Sequence, residues 1–443
     1  MNKKILLLLL LSISTSIIKA QSKFQFIKKA EKEVIQFRLI NNLIVFPLRI
    51  NGKELSFILD TGVRKSILFN LNEKDSLILK NTQKVYIRGL GAGKPVEAIR
   101  SKKNEIRIKN VLGFSQEVFV ILDDTFKLSS KMGTTIHGII GHDLLKDVIV
   151  RVNYNSKTLT LYDPKAYEQP RCGSCEALDI EFYNNKPFIN ITISTDSIRK
   201  NIPVTMLVDS GGSDAVWMFE GTDKNITTPE KYFVDILGEG LSGTIYGKRS
   251  RVSEVKIGKY VLEGPTASFL DTVSTFNARK YTKRNGSIGG GILKRFKVWI
   301  DYPNKKLTLK KSSSLSKGFH YNMSGLHVVY NGLELVKEKN DLSTRTSFKT
   351  DDTSGNVISF VTSYAYKFKP SFRIESVVKG SPADIVGIEP GDVIKKINGK
   401  FGHEYTLESI SALFQARPNK KISMVIERGV VDLKYKFYLE PRI

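Results

Sequence analysis

Cysteine is nearly absent: the 443 residues contain two, Cys172 and Cys175, in the run Cys-Gly-Ser-Cys. That count excludes a disulfide-stapled scaffold, and a zinc site would need two further ligands. In an oxidising compartment the pair reads as a local disulfide whose small loop stabilises little through chain entropy. A redox centre would need βαβ surroundings, which the flanking sequence lacks. Histidine is scarce too, with five residues and no His-x-x-x-His spacing, so no metal site is expected. His137 and His142 flank a glycine turn and read as structural. No Gly-x-Ser-x-Gly elbow occurs, which argues against a serine hydrolase of that type.

Long apolar runs are confined to one place. Asn2, Lys3 and Lys4 precede an apolar stretch from Ile5 to Ile18, and Lys19-Ala20-Gln21 follows, a pattern expected of a cleaved signal over residues 1–20. The stretch is shorter than the roughly 20 residues that span a bilayer, and Ser12, Ser14, Thr15 and Ser16 dilute it. The expectation is an exported protein, periplasmic or secreted, with no transmembrane segment after cleavage. Acidic residues are outnumbered, 44 against 69 Lys and Arg, for a net charge of +25. The basic residues are scattered as pairs in turns such as Lys305-Lys306 and Lys420-Lys421, without a basic helix. No specific nucleic-acid partner follows; the charge reads as a solvated surface biased toward acidic polymers or membranes.

What the chain does have is an internal repeat. Phe57-Ile58-Leu59 leads into Asp60-Thr61-Gly62, and Met206-Leu207-Val208 leads into Asp209-Ser210-Gly211 at an offset of 149 residues. Gly89 and Gly91 recur as Gly238 and Gly240, and Ile106 and Ile108 as Val255 and Ile257, at the same offset. Gly138, Ile140, Gly141, Leu144 and Leu145 then match Gly286, Ile288, Gly289, Ile292 and Leu293 at 148, as one deletion predicts. Each copy consists of short alternating Val, Ile, Leu, Phe and Thr runs separated by Gly, Asn and Asp turns, such as Asn51-Gly52. That grammar predicts a mainly β fold, with helical periodicity limited to about one short segment per copy, near Asp143–Lys146 and Gly291–Phe296. The copies span residues 35–164 and 177–311, with a polar, irregular linker over 165–176.

An Asp-Thr-Gly or Asp-Ser-Gly alone could be only a turn. At equivalent points of two similar lobes, a twofold arrangement brings Asp60 and Asp209 together, and like charges a few Å apart cannot both ionise. One acid and one base result, a pair suited to hydrolysing an amide with water: the ionised carboxylate takes a proton from water and the protonated one polarises the carbonyl. Thr61 and Ser210 offer hydroxyls that can bond across the pseudo-twofold axis, and Gly62 and Gly211 permit tight turns beside the carboxylates.

These residues resemble the aspartic peptidases of the retropepsin and pepsin type, and more closely the bacterial two-lobed, retropepsin-like members with a C-terminal PDZ domain. The resemblance spans residues about 35 to 443. It implies two acid-protease β-barrel lobes, catalytic Asp60 and Asp209, and apolar-apolar-Gly elements at Ile139-Ile140-Gly141 and Ser287-Ile288-Gly289 packed behind the catalytic loops. It also implies mobile flaps at Gly89-Leu90-Gly91 and around Gly238 and Gly240. The run Gly238-Glu239-Gly240-Leu241-Ser242-Gly243 formally fits a dinucleotide pattern, but a strand rather than a helix follows, so no cofactor is expected. The chain departs from the family pattern at Val63, Gly212 and Ser287, and carries Arg64 and Asp214 near the turns.

After Ser312–Ser316, read as a flexible connector, Lys379-Gly380-Ser381-Pro382-Ala383, Glu389-Pro390-Gly391-Asp392 and Ile397-Asn398-Gly399 resemble PDZ domains. The resemblance implies an α+β domain over 318–443, a carboxylate-binding loop at Ser324-Gly325-Leu326-His327 and a groove helix over Leu407–Phe414. A polar insertion is expected over about 338–363, as a loop or hairpin. Three functions follow as expectations. The first is an exported aspartic endopeptidase acting on polypeptides, its PDZ unit selecting or positioning substrate, with peptide C-termini as expected ligands of its groove. The second is a silent peptide-binding adaptor on the same scaffold, and the third a basic surface protein binding acidic polymers.

Overall fold

Alternation at period two and left-handed turn residues build the strands of this protein. Leu43–Ile50 buries six of its eight residues, and Asn51 (φ 47°) with Gly52 (φ 88°) makes the two-residue turn into Lys53–Leu59. Both central residues need positive φ in such a hairpin turn, which Asn and Gly tolerate best. The computed structural model describes residues 22–71, 77–89, 93–122, 128–169, 171–196, 198–240, 243–339, 345–347, 358–360 and 364–443. The expected signal over 1–20, and Leu90 and Gly91 of the first expected flap, lie outside the described residues. No helix among the described residues is long and apolar enough to cross a membrane.

The chain divides into two compact units. The larger holds both copies of the repeat, Thr135–Phe319 together with the residues before Ser129. A nine-stranded sheet forms the first lobe and a ten-stranded sheet the second. In each, the strand that ends in the aspartate is flanked on one side by its hairpin partner and on the other, in parallel, by the apolar-apolar-Gly strand. Gly138–Ile140 runs beside Phe57–Leu59, and Gly286–Ile288 beside Met206–Val208. A separate six-stranded sheet joins the lobes, with Ile149–Asn153 of one paired antiparallel to Phe296–Asp301 of the other, Val150 opposite Ile300. One continuous apolar core includes residues of both lobes, from Phe24 to Phe319. Burying that much apolar surface across the boundary makes the two lobes a single body.

The helices match the expected sparseness, at His142–Leu145 and Gly290–Leu293, with short additional turns at Leu128–Met132 and Thr272–Thr275. Cys172 and Cys175 form the local disulfide. The serine-rich connector differs from expectation. Buried Arg295 donates to the carbonyls of Ser314 (3.1 Å), Leu315 (3.3 Å) and Gly318 (3.1 Å), so the segment is tied down rather than flexible. Composition predicted freedom; a guanidinium 19 to 23 residues away in the chain removed it by occupying the backbone acceptors.

The second unit, His320–Arg442 with Ser129–Thr134, is built on a six-stranded sheet. Leu326–Lys339 lies at its end and pairs with Tyr364–Val377 as far as Lys339 opposite Tyr364. The insertion is thus a hairpin extension, continued by Arg345–Ser347 paired with Ile358–Phe360; its remaining residues lie outside the described set. Leu407–Phe414 is the expected helix, started by a Thr406–Ser409 capping box and packed against Leu326–Lys339.

The antiparallel pairing of Arg284–Ile288 with Val216–Phe219 makes a sharp demand at Gly286, where an added Cβ would stand 1.9 Å from the Trp217 carbonyl oxygen. Gly286→Ala is expected to lose about 1–3 kcal/mol of stability, measured by urea unfolding. Gly173→Ala, with nothing within 4 Å of the new methyl, is the control and should be close to neutral.

Candidate active site

The two aspartates follow strands that end at the same level of their sheets. Asp60 N–H donates to Ile140 O at 2.9 Å, and Asp209 N–H donates to Ile288 O at 2.9 Å. The apolar-apolar-Gly elements therefore hold the aspartate backbones directly. Their glycines leave no spare room: a Cβ at Gly141 would be 2.0 Å from Asp60 O, and one at Gly289 2.4 Å from Asp214 O. Ser287, which departs from the family pattern, is buried in the same strand without disturbing this register.

Between the lobes, Thr61 and Ser210 bond reciprocally. Thr61 N–H donates to Ser210 Oγ (3.1 Å) and Ser210 N–H to Thr61 Oγ1 (2.9 Å). Each hydroxyl then donates onward, Thr61 Oγ1 to Val208 O (2.6 Å) and Ser210 Oγ to Leu59 O (2.8 Å). Four buried polar groups are satisfied only by the opposite lobe, so separation of the lobes would leave them unpaired. Gly62 N–H donates to Asp60 Oδ1 (2.6 Å) and Gly211 N–H to Asp209 Oδ1 (3.1 Å), aiming both carboxyls at the axis. A side chain at Gly211 would collide with the Asp60 carboxyl, its Cβ 2.2 Å from Cγ.

The two carboxyls interact directly, each within hydrogen-bonding reach of the other. Burial and the facing Asp209 carboxylate push Asp60 up to about 7. Burial also raises Asp209 above its ordinary range, but the cations Arg284 and Lys186, the Gly211 amide and the bond from Asp60 oppose that rise. The proton sits on Asp60 and the charge on Asp209. Tyr302 donates to Thr61 O at 3.3 Å behind the pair, and burial holds its phenol neutral.

Several polar residues outside the motifs also shape the site. Asn42 of the first lobe donates to Ser213 O (2.8 Å) and accepts from Lys294 (2.8 Å), securing the loop that follows Asp209. Asp214 is neutralised by Arg249 (3.0 Å), itself bound to Asp235 (2.8 Å), and accepts from Trp217 Nε1 and Ser268 Oγ. Arg64 is exposed. His137 accepts from Ser56 N–H through Nδ1 (3.1 Å), a structural role. Gly238 and Gly240 lie at the tip of a hairpin in which Gly240 pairs with Gly243; Gly89 ends the described part of the corresponding hairpin. Among the described residues no cluster of His, Cys, Asp and Glu is arranged to hold a metal.

In the second unit, Gly325 adopts φ 82° and Leu326 is buried, with His327 next on the strand. The loop amides are already engaged: Ser324 and Gly325 N–H donate to Asn322 Oδ1 (3.0 and 3.3 Å), and Leu326 N–H to Ser324 Oγ (3.1 Å). Residue spacing located the loop, but only side-chain placement revealed that its donors have internal partners.

A carboxyl whose folded pKa lies above its unfolded value adds stability that is full below the unfolded pKa and disappears as pH rises through the folded one. For Asp60 that window runs from about 3.8 to about 7. Asp60→Asn, neutral throughout, should therefore raise Tm relative to the parent by several degrees at pH 8 and much less at pH 4, by differential scanning calorimetry. An equal shift at both pH values would contradict the buried ionisation.

Comparison with known families agrees with this architecture. The model of the aspartyl protease family matches residues 46–144 and again 196–293, and that of the PDZ domain matches 373–428. Probable CtpA-like serine proteases of Staphylococcus saprophyticus and Staphylococcus aureus are 33% identical over 91 residues and 31% over 74. Those segments cover 20% and 17% of this chain, and 18% and 15% of the relatives. This chain thus spans less than a fifth of the curated relatives it matches. The aspartic proteinase of Irpex lacteus aligns over 65% of this chain and 99% of its own, with a TM-score of 0.43 and 12% identity. Two segments of this chain thus match the aspartyl protease family, each containing one Asp-Thr/Ser-Gly turn, and a third matches the PDZ domain.

Proposed function

We propose that this protein is an exported aspartic endopeptidase in which Asp60 and Asp209 activate a water molecule against a peptide bond. The observation that carries the reading is the pair of buried, facing carboxyls on the pseudo-twofold axis, held by the Thr61–Ser210 lattice. Asp209, ionised, accepts a proton from water as the oxygen attacks the carbonyl carbon. Asp60, protonated, donates to the carbonyl oxygen and stabilises the charge developing there. The reaction proceeds without a covalent enzyme intermediate. Collapse of the tetrahedral species expels the amine, which takes up a proton, and the dyad returns to its single-proton state. The hairpin carrying Gly238 and Gly240 serves as one flap. Export rests on the basic and apolar pattern of residues 1–20.

The PDZ unit in this reading positions substrate by strand addition along Leu326–Lys339, the end strand beside Leu407–Phe414. With Ser324, Gly325 and Leu326 amides bonded to Asn322 and Ser324, an internal extended segment suits it better than a free C-terminus.

Two measurements follow. Incubation with a diverse peptide library from about pH 3 to 8 should yield internal cleavage, abolished by at least about 10²-fold in Asp60→Asn and Asp209→Asn. Activity should fall at high pH as Asp60 loses its proton near 7, and at low pH as Asp209 gains one. Intact peptides at every pH, with folded protein, would refute the reading. For the PDZ unit, fluorescence anisotropy on the full chain should give closely similar affinities for a bound peptide with a free or an amidated C-terminus. A preference above about tenfold for the free acid, roughly 1.4 kcal/mol, would instead assign it to C-terminus capture.

A further inference from the structure

The duplication supplies an internal control, because each residue near the dyad has a twin in the other lobe. The hairpins entering the two lobes turn on Asn41-Asn42 (φ 48° and 66°) and Asn184-Asn185 (φ 49° and 63°). Val45 then pairs with Ile58 and Phe188 with Leu207. Continuing each ladder by two residues brings Leu43 level with Asp60 and Lys186 level with Asp209. Leu43 is buried as an apolar residue should be; its twin is a partly buried lysine.

A second pair breaks symmetry in the same direction. Ile136-His137-Gly138 corresponds to Arg284-Asn285-Gly286, a match verified by bonding: His137 Nδ1 accepts from Ser56 N–H, and Asn285 Oδ1 accepts from Thr205 N–H at 2.9 Å. Ile136 is fully buried, and Arg284 is 97% buried in its place. The Arg284 guanidinium lies 4.8 Å from the Phe219 ring centroid and 5.9 Å from that of Phe188. Its Nε donates to Gly286 O at 3.0 Å, while Nη2 is buried with no partner. Phe188 packs with Leu207, two residues before Asp209, so the guanidinium lies close to the strand that carries the second aspartate.

Neither cation has an ion-pair partner among the described residues, yet both act electrostatically on Asp209. A dyad sharing one proton carries one negative charge. A buried and a partly buried cation beside it leave one positive charge uncompensated, and an unpaired charge away from water is costly unless a counter-ion arrives. The first lobe, with Leu43 and Ile136 at the twin positions, offers no such demand.

We infer that the second lobe's side of the cleft recognises a substrate carboxylate: a Glu or Asp side chain next to the scissile bond, received by Lys186 and Arg284. The inference rests on the peptidase reading for its placement at the cut, though not for the recognition itself. An acidic partner on the substrate completes the pairing left open by the fold, and a guanidinium held against the Phe219 ring with its Nη2 unpaired has little freedom to lose.

The test uses the full chain and two readouts. Cleavage of the peptide library should show Glu or Asp enriched at one of the two positions flanking the cut. Replacing it by Gln should lower kcat/KM by about tenfold or more, and Lys186→Met and Arg284→Met should bring the Glu-to-Gln ratio close to one. Arg284→Lys, which keeps charge, covers failure of Arg284→Met to fold, and should retain part of the preference. Binding of uncleavable statine peptides bearing Glu or Gln, by calorimetry, gives the second readout. Tighter binding of the Glu peptide that vanishes in the Lys186 variant supports the inference even where no peptide is cleaved, an outcome that would sink only the peptidase reading. Equal cleavage and equal binding of the Glu and Gln forms overturns the inference and leaves the peptidase reading standing.

Discussion

Everything at the centre of this molecule depends on the exchange of hydrogen bonds between Thr61 and Ser210. Each hydroxyl is at once an acceptor for the other lobe's amide and a donor to a carbonyl on the strand that carries the other lobe's aspartate. Because the groups are buried, the alternative to this lattice is not solvation but four unsatisfied polar atoms. The lattice therefore fixes how Asp60 and Asp209 face each other, and a facing pair of buried carboxyls favours one proton between them.

The shared proton then makes sense of the surroundings. Hydrogen bonds from Gly62 and Gly211 orient the carboxyls, and the carbonyls of Ile140 and Ile288 hold their backbones from behind. These contacts are nearly symmetric, whereas the charges are not. Lys186 and Arg284 both stand on the second lobe and favour the anion at Asp209, so a twofold frame produces two unlike aspartates. The nearby Asp214 does not disturb this balance, since Arg249 and the Trp217 and Ser268 donors absorb its charge.

The PDZ unit shows the same division between scaffold and chemistry. Its turn residues and groove helix lie where spacing places them, and its end strand is available beside that helix. Within the carboxylate-loop region, however, Asn322 and Ser324 hold three amides. One polar side chain just ahead of a motif changes what the motif offers a ligand, because a backbone amide has a single hydrogen to give.

While its resemblance to PDZ domains implied the helix at Leu407–Phe414, the sequence by itself determined the two-lobed β architecture and the equivalence of Asp60 and Asp209. Those features are carried by local period, turn chemistry and repetition, all readable along one dimension. It missed the tethering of the serine connector by Arg295, the Asn42 brace across the lobes, and the charges at Lys186 and Arg284. Lys186 and Arg284 could have been found by aligning the copies and asking where Leu43 and Ile136 become basic. The internal partners of the PDZ-loop amides and the sharing of a proton on the Asp60 side were decided only by tertiary structure. Hydrogen-bond satisfaction and desolvation depend on which atoms meet in space, and sequence separation does not reveal that.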